Sequence, residues 1–336
     1  MRPWCWRGTF LAGLFLFCSG ACASRSETTP TTDGGGVDAR APSAEGGALP
    51  NGGDVIVEKA SFTELFALSD MHAHLNEMVV LLERSGLVAP KTRPFEWKGA
   101  SSTLVIVGDY INKGPNSVGV ISAIMELETA ASAKGGTVVA LLGNHEAEFL
   151  AQPNDSKFEA ADAIGTELRS STPAIDPVKF ATGPDPRAVW LRGRPVAAKI
   201  GGYFFCHAGD THGATVAALR EELGLAFRTG AGFADARLIG DKSPLQSRAW
   251  YTTETVTKNI TALGATHIVF GHDPSAFDFG SIAAPSKFGG KIVKIDAGLA
   301  AGDSQGEIFH VRLEGASEVA EAIGPTGPPR LLYRSP

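Results

Sequence analysis

Cysteine is scarce where a fold would use it. Of the four cysteines in 336 residues, Cys5, Cys18 and Cys22 fall within the first two dozen positions, and Cys206 alone lies in the body. One body cysteine cannot close an internal disulfide, so the fold must hold through its apolar core. At 43% hydrophobic residues, a chain of this length can bury one large domain, or at most two. A basic balance is lacking too. Lys and Arg number 30 against 36 Asp and Glu, a net charge of −6, which excludes a general attraction to nucleic acid or to anionic membrane surfaces. Any phosphate site must therefore be a local feature. The apolar run Thr9–Phe17 is too short to span a bilayer as a permanent helix. No internal repeat of solenoid type is visible.

The first 23 residues have the make-up of an export signal. Arg2 and Arg7 give the positive start, Thr9–Phe17 the apolar run, and Ser19-Gly20-Ala21 the small residues that precede cleavage. Cys22 after Gly20-Ala21 resembles a bacterial lipobox, with Ser19 where Leu is usual. It implies an exported lipoprotein, periplasmic or anchored in a membrane only through lipid on Cys22. Cleavage after Ala23, in the small-x-small stretch Ala21-Cys22-Ala23, gives a soluble secreted form instead. Residues 24–53 hold Ser, Thr, Gly, Pro and Ala with almost no large apolar side chain, the composition of a flexible tether. Residues 316–336, with Gly324-Pro325-Thr326-Gly327-Pro328-Pro329, read as a loosely ordered tail. The domain itself is expected over 54–315.

Within that span strand and helix patterns alternate. LFALSD (65–70), TLVIVGD (103–109) and TVVALLGN (137–144) are short apolar runs rich in β-formers, each ending on a polar residue. Helix-like spacing around Met78–Ser85 and Val118–Ala133 separates them, which predicts parallel strands with helices on their faces. Ligands in such sheets bind at the carboxyl ends of the strands, where Asp70, Asp109 and Asn144 fall. Further on, PVAAKI (195–200), Gly201-Gly202 and YFFCHAG (203–209) predict a hairpin with a two-glycine turn, and 214–228 an amphipathic helix. THIVFGHD (266–273) is a strand ending on Gly-His, while KIVKIDAG (291–298) and EIFHVRLE (307–314) read as closing antiparallel strands. The predicted class is α/β, a sandwich of two mixed sheets flanked by helices.

Taken singly, the polar residues at these strand ends are ordinary. A lone Asp there is usually a turn former or helix cap, and a lone His a hydrogen-bonded residue. Their recurrence is what counts. Five apolar runs each deliver an Asp, Asn or His beside Gly or at a turn, and these are hard-to-borderline ligands suited to Mn, Fe or Zn. SDMHAH (69–74), GDYINKG (108–114), GNHE (143–146), CHAG (206–209) and FGHD (270–273) resemble, in order and rough spacing, the blocks of the calcineurin-like metallophosphoesterases. The likeness extends through WLRGRPVAAKIGGYFFCHAG (190–209) and KIDAG (294–298) to the phosphoprotein-phosphatase branch, particularly its bacterial Shewanella-like members. It covers about Phe66 to Gly298.

That resemblance implies two divalent metal ions, manganese first and iron or zinc as alternatives. By position, Asp70 and His72 would hold the first, Asp109 would bridge both, and Asn144, His207 and His272 would complete the second. His145 corresponds to the family's general acid, and Arg248, in SPLQSRAW (243–250), to a phosphate-binding arginine. Two such cations roughly 3.5–4 Å apart lower the pKa of a bound water and stabilise both oxygens of an in-line displacement. The implied partner is a phosphorylated substrate: a phosphoprotein, a phosphopeptide or a small phosphoester.

Several positions depart from the pattern. Ser69 and Ala73 stand where the family has glycine, small enough to expect little effect. Asn112 replaces an Asp that pairs with the catalytic histidine, and an amide stabilises an imidazolium less well. Lys113 replaces an Arg, keeping charge but losing the two-pronged grip on phosphate. Metal binding with slower turnover and weaker phosphate binding is the expectation. Two other functions compete with a phosphomonoesterase: hydrolysis of dinucleoside polyphosphates or other nucleotides, and binding of metal or phosphate without turnover. His74 also completes a D-x-H-x-H of the amidohydrolase kind, but a barrel does not explain GDYINKG and GNHE. Glu146 is read as a structural hydrogen-bonder, Cys206 as a buried thiol behind His207, Asp296 as a supporting or turn residue, and Trp190 and Trp250 as packing.

Overall fold

The computed structural model describes residues 49–335, apart from 51 and 303. The expected export signal, with Cys22, and the expected tether up to residue 48 lie outside the described residues. Composition extends the tether to Gly53, but Leu49 is buried in the main core and Gly52 donates a backbone hydrogen bond to its carbonyl at 2.8 Å.

The strands are β1 (Ile56–Lys59), β2 (Glu64–Leu68), β3 (Thr103–Ile106), β4 (Thr137–Ala140), β5 (Ala197–Ile200), β6 (Tyr203–Cys206), β7 (His267–Phe270), β8 (Ile292–Lys294), β9 (Ile308–Glu314), β10 (Ser317–Ile323) and β11 (Arg330–Arg334). They form a six-stranded sheet, β11-β10-β9-β2-β3-β4, and a five-stranded sheet, β1-β5-β6-β7-β8. The helices are α1 (Leu75–Arg84), α2 (Ser117–Ser132), α3 (Asn144–Ala151), α4 (Ile164–Ser170), α5 (Pro177–Thr182), α6 (Pro186–Arg192), α7 (Val216–Arg228), α8 (Ala236–Ile239) and α9 (Thr253–Leu263).

Strand periodicity explains the layers. In β2, Leu65 and Ala67 point one way, into a cluster that contains Val105, Val139, Tyr203, Phe205, Val269 and Phe309 from both sheets. Phe66 and Leu68 point the other way and join the larger cluster that takes up the helices, with Met78 and Leu81 of α1 and Ile121 and Ile124 of α2. Central strands covered on both faces read as continuous apolar runs, as β3 (TLVI) and β7 (HIVF) do. Lys59 on β1 ties the sheets together, its Nζ donating to Thr103 Oγ1 at 2.9 Å and Thr137 Oγ1 at 3.1 Å.

The C-terminal strands differ from the sequence expectation in direction and in extent. β8 runs parallel to β7, while β9 pairs antiparallel with β2, so KIVKIDAG and EIFHVRLE close different sheets in different senses. The tail is not loose: β10 pairs antiparallel with β9, and β11 with β10. Val319, Ala320, Ala322 and Ile323 are buried there, and the Pro-rich stretch is only the turn between two strands.

Candidate metal centre

β2, β3 and β4 are mutually parallel, as are β6 and β7. Asp70, Asp109 and Asn144 follow the first three, and His207 and His272 the last two, so five chain segments deliver polar side chains at carboxyl ends. The backbone turns sharply at three of these deliveries, those of Asp70, Asp109 and His272, and at the residues that follow the first two. Asp70 (φ 53°), His72 (φ 41°), Asp109 (φ 52°), Asn112 (φ 63°), Lys113 (φ 57°) and His272 (φ 65°) all occupy the left-handed region. For residues with a Cβ such a cluster is costly and accumulates where function fixes the geometry. Ala73 shares it at φ 63°, so this alanine is strained where the family's glycine would be relaxed. Small size does not remove that strain.

Glu146 staples these turns. One buried carboxylate accepts from the backbone N–H of Gly143 and Asp109 at 2.8 Å, Tyr110 at 2.9 Å and Ile111 at 3.1 Å. Close approach demands glycine at Gly271, where a Cβ would lie 2.1 Å from Asp70 Oδ2. At Gly108 a Cβ would lie 2.4 Å from the Gly143 Cα.

The histidines are oriented from behind. His72 Nδ1–H donates to the Ile111 carbonyl at 3.2 Å, His207 Nδ1–H to that of Val107 at 2.8 Å, and His272 Nε2–H to that of Gln246 at 3.0 Å. Each ring thus turns its other nitrogen inward, the second-layer arrangement metal-binding histidines use. His207 Nε2 lies 3.2 Å from Asp109 Oδ1 and 3.1 Å from Asn144 Oδ1, and His272 Nδ1 lies 3.0 Å from the same Asn144 oxygen. His72 Nε2 lies 3.7 Å from Asp109 Oδ2 and 3.9 Å from Asp70 Oδ1. The donor atoms of Asp109, His207 and His272 fall within 4.8 Å of one another, as do those of His72, Asp109 and His145. Asp109 belongs to both groups.

Electrostatics match this arrangement. Burial pushes the Asp70 carboxyl well above its ordinary range, and Asp296 adds to the rise. Burial would lift Asp109 as well, but the imidazoles of His207 and His145 hold it well below that range. Burial opposes a charge on His207, yet Asp109 and Asp70 push its pKa up to about 10. Burial lowers His72 to about 4 and His272 to about 3. A proton on His207 therefore stands where the carboxylates call for a cation. The Asn144 oxygen and the His272 Nδ1 lone pair, two acceptors, face each other with no hydrogen between them. A divalent cation satisfies both conditions, so these donors fit metal ions in kind and placement.

The other singled-out residues lie around this set. Asn112 Oδ1 accepts from the Ile164 N–H at 2.9 Å, so its Nδ2 donates to His145 Nδ1 at 3.0 Å. The proton of neutral His145 is then on Nε2, 3.9 Å from Asp109 Oδ2, and burial holds this imidazole well below its ordinary pKa. Lys113 Nζ donates to His72 Nε2 at 3.3 Å. Arg248 does not reach the donor set; its guanidinium pairs with Asp273, next to His272, at 3.3 Å. His74 Nδ1–H donates to the His72 carbonyl at 2.7 Å instead of joining the cluster. Asp296 is buried and accepts from the Gly298 N–H at 2.9 Å. Cys206 is buried, and Trp250 donates from within the core to the Ala208 carbonyl at 2.8 Å. Trp190 donates to Glu128 Oε2 at 2.7 Å. The strand-end pattern does not mark Glu148, Lys157 or Gln246, and Glu148 is bonded to Asn144. The one signal was spacing: Glu148 lies four residues beyond Asn144 on α3.

A two-sheet sandwich with two carboxylate-sharing donor groups at its strand ends defines a metallophosphoesterase-type protein. The family model for calcineurin-like phosphoesterases matches residues 64–276, and the chain belongs to that family. It is 31% identical over 110 residues to a symmetrical bis(5'-nucleosyl)-tetraphosphatase of Ralstonia nicotianae, covering 33% of this chain and 34% of that protein. With the Shewanella-like protein phosphatase 2 of Arabidopsis thaliana it shares 29% over 82 residues, 24% of this chain and 20% of the relative. The matches thus span about a third of the first relative and a fifth of the second. The cold-active protein-tyrosine phosphatase of a psychrophilic Shewanella has the same fold, with a TM-score of 0.65 at 19% identity over 82% of both chains.

Proposed function

We propose that this protein is a two-metal phosphoesterase that hydrolyses phosphomonoesters of the phosphoprotein-phosphatase kind, with manganese in both sites. The observation that carries the proposal is the placement of Asp109 between two donor groups, because one carboxylate shared by two cations is how binuclear hydrolases hold their pair. Asp70, His72 and Asp109 would hold the first ion, and Asp109, Asn144, His207 and His272 the second. Once bound, the ions supply an activated water and charge stabilisation for a phosphoryl group in transfer.

The chain's own residues do the rest. Lys113, beside His72, supplies positive charge for the phosphate oxygens as a single point contact, whereas Arg248 would have to swing away from Asp273 to offer its planar fork. His145, neutral with its proton on Nε2, is a hydrogen-bond donor to the departing oxygen more than a proton source. That places the enzyme's strength with substrates whose leaving group needs little protonation. Export to the periplasm, with or without a lipid at Cys22, is part of the same proposal.

Hydrolysis of an aryl phosphate, lost with chelator and in Asp109→Asn and restored to wild type by Mn²⁺, is the expected result. No hydrolysis by metal-loaded protein would leave a metal- and phosphate-binding role in its place. The matches to symmetrical bis(5'-nucleosyl)-tetraphosphatases, one of them over 194 residues, favour dinucleoside tetraphosphate hydrolysis as the second reading. A phosphopeptide panel run beside that nucleotide separates the two.

A further inference from the structure

Glu148 lies one turn beyond Asn144 on α3, and its carboxylate gathers donors from three segments. Oε1 accepts from Asn144 Nδ2 at 3.2 Å and from Gln246 Nε2, and Oε2 accepts from Lys157 Nζ at 2.5 Å. Lys157 sits in a short 3-10 turn after α3, fixed by Asp155, which accepts from the Lys157 N–H at 2.8 Å. Gln246 also touches the far side of the cluster, its carbonyl accepting from His272 Nε2–H. Two elements that flank the centre thus hold Glu148, and Glu148 holds Asn144.

A carboxamide has two ends of opposite hydrogen-bonding character. An ionised carboxylate only accepts, so Glu148 admits the NH₂ end of Asn144 and turns Oδ1 towards His207 and His272. Without it, the amide is free to rotate and present N–H groups, which cannot bind a cation. We propose that Glu148 is a positioning residue that sets the affinity of the second cation site by locking the Asn144 carboxamide with its oxygen inward. This rests on the two-metal reading above.

The Glu148 side chain is 23% exposed and that of Lys157 33%, so substitution leaves the core intact, which circular dichroism can verify. Mn²⁺ titration by calorimetry, with metal content measured independently, tests the idea without reference to activity. The wild-type chain should take up two ions. Glu148→Ala should weaken the second step by roughly ten- to a hundredfold, the usual cost of losing an outer-layer partner, and leave the first within about twofold. Lys157→Met, which keeps the Glu148–Asn144 bond, should lose less than about threefold.

The decisive arm is Asn144→Asp, whose carboxylate has no wrong end and is repelled by Glu148. In that background Glu148→Ala should tighten the second step, an inversion of sign that a merely structural role would not produce. A Glu148→Ala chain that titrates like wild type, or the same loss in both backgrounds, overturns the inference and leaves the two-metal reading standing. A wild-type chain that takes up fewer than two ions overturns both.

Discussion

The sharpest consequence of the geometry concerns Asn112. Its oxygen satisfies the Ile164 N–H at the start of α4, a helix whose N-cap residue, Ala163, offers no side-chain acceptor. The amide nitrogen is therefore committed to His145 Nδ1, and an imidazole that accepts there cannot also carry a proton on that atom. Asn112→Asp changes the charge without changing the shape. One carboxylate oxygen still caps α4, where negative charge is favoured, and the other accepts from Nδ1–H. Asp tolerates the left-handed backbone of this position as Asn does.

A unit charge about 4 Å from the imidazolium contributes at most about 4 kcal/mol at an effective dielectric of 20. Opposite charges at such range move a pKa by about 1–3 units. While the His145 pKa stays below the assay pH, each unit of rise increases its protonated fraction about tenfold. Release of an alkoxide should then quicken by at least about tenfold, within the usual reach of general acid catalysis. An alkyl phosphate and p-nitrophenyl phosphate, compared across pH 5–9, report this separately, because the nitrophenolate departs without a proton. The variant should gain kcat on the alkyl ester alone and acquire a limb that falls as pH rises through the new His145 pKa. Equal acceleration of both esters, or none of the alkyl ester, would refute the tautomer deduced here.

Three further outcomes follow from the same contacts. His207 is held protonated in the metal-free protein up to a pKa of about 10, above its unfolded value, so it stabilises the apo-protein fully below pH 6.5 and that contribution is lost as pH rises towards 10. Mn²⁺ binding must expel this proton, so affinity should climb by up to about tenfold per unit from pH 7 to 9, with proton release visible by calorimetry in buffers of different ionisation enthalpy; a flat profile contradicts it. Glu146→Gln replaces the oxygen that serves the Gly143 and Asp109 N–H groups by an NH₂, and two buried donors left unpaired should cost about 2–5 kcal/mol, read as a lower Tm. Lys113→Arg should lower the inhibition constant for inorganic phosphate by about three- to tenfold through a two-pronged contact, leaving Mn²⁺ affinity within about twofold.

Most of the positions were legible before the structure because they obey a local rule: an apolar run of strand length, then a polar residue beside glycine or at a turn. β2, β3, β6 and β7 announce themselves that way, and so do Asp70, Asp109, His207 and His272. The direction of β8 was not legible, since three residues of Ile-Val-Lys fit a parallel or an antiparallel neighbour equally well and only tertiary pairing decides. β10 and β11 were hidden by composition: the turn Gly324–Pro329 dominates the tail, whereas SEVAEAI acquires strand character from pairing with β9.

The hydrogen-bond directions within the centre were illegible for a deeper reason. Whether Asn112 offers oxygen or nitrogen to His145 depends on Ile164, which lies 52 residues away. Whether Asn144 offers oxygen or nitrogen to a cation depends on Glu148, Lys157 and Gln246, which no strand-end pattern marks. Both are carboxamides, and a carboxamide carries no preference of its own between its two ends; its neighbours decide. At position 112 an Asp would make the direction irrelevant, because both ends would accept. Having Asn there makes the protonation of His145 follow from the placement of α4. The segment between GNHE and the hairpin, which carries α4, thereby bears on His145 through the Ile164 N–H.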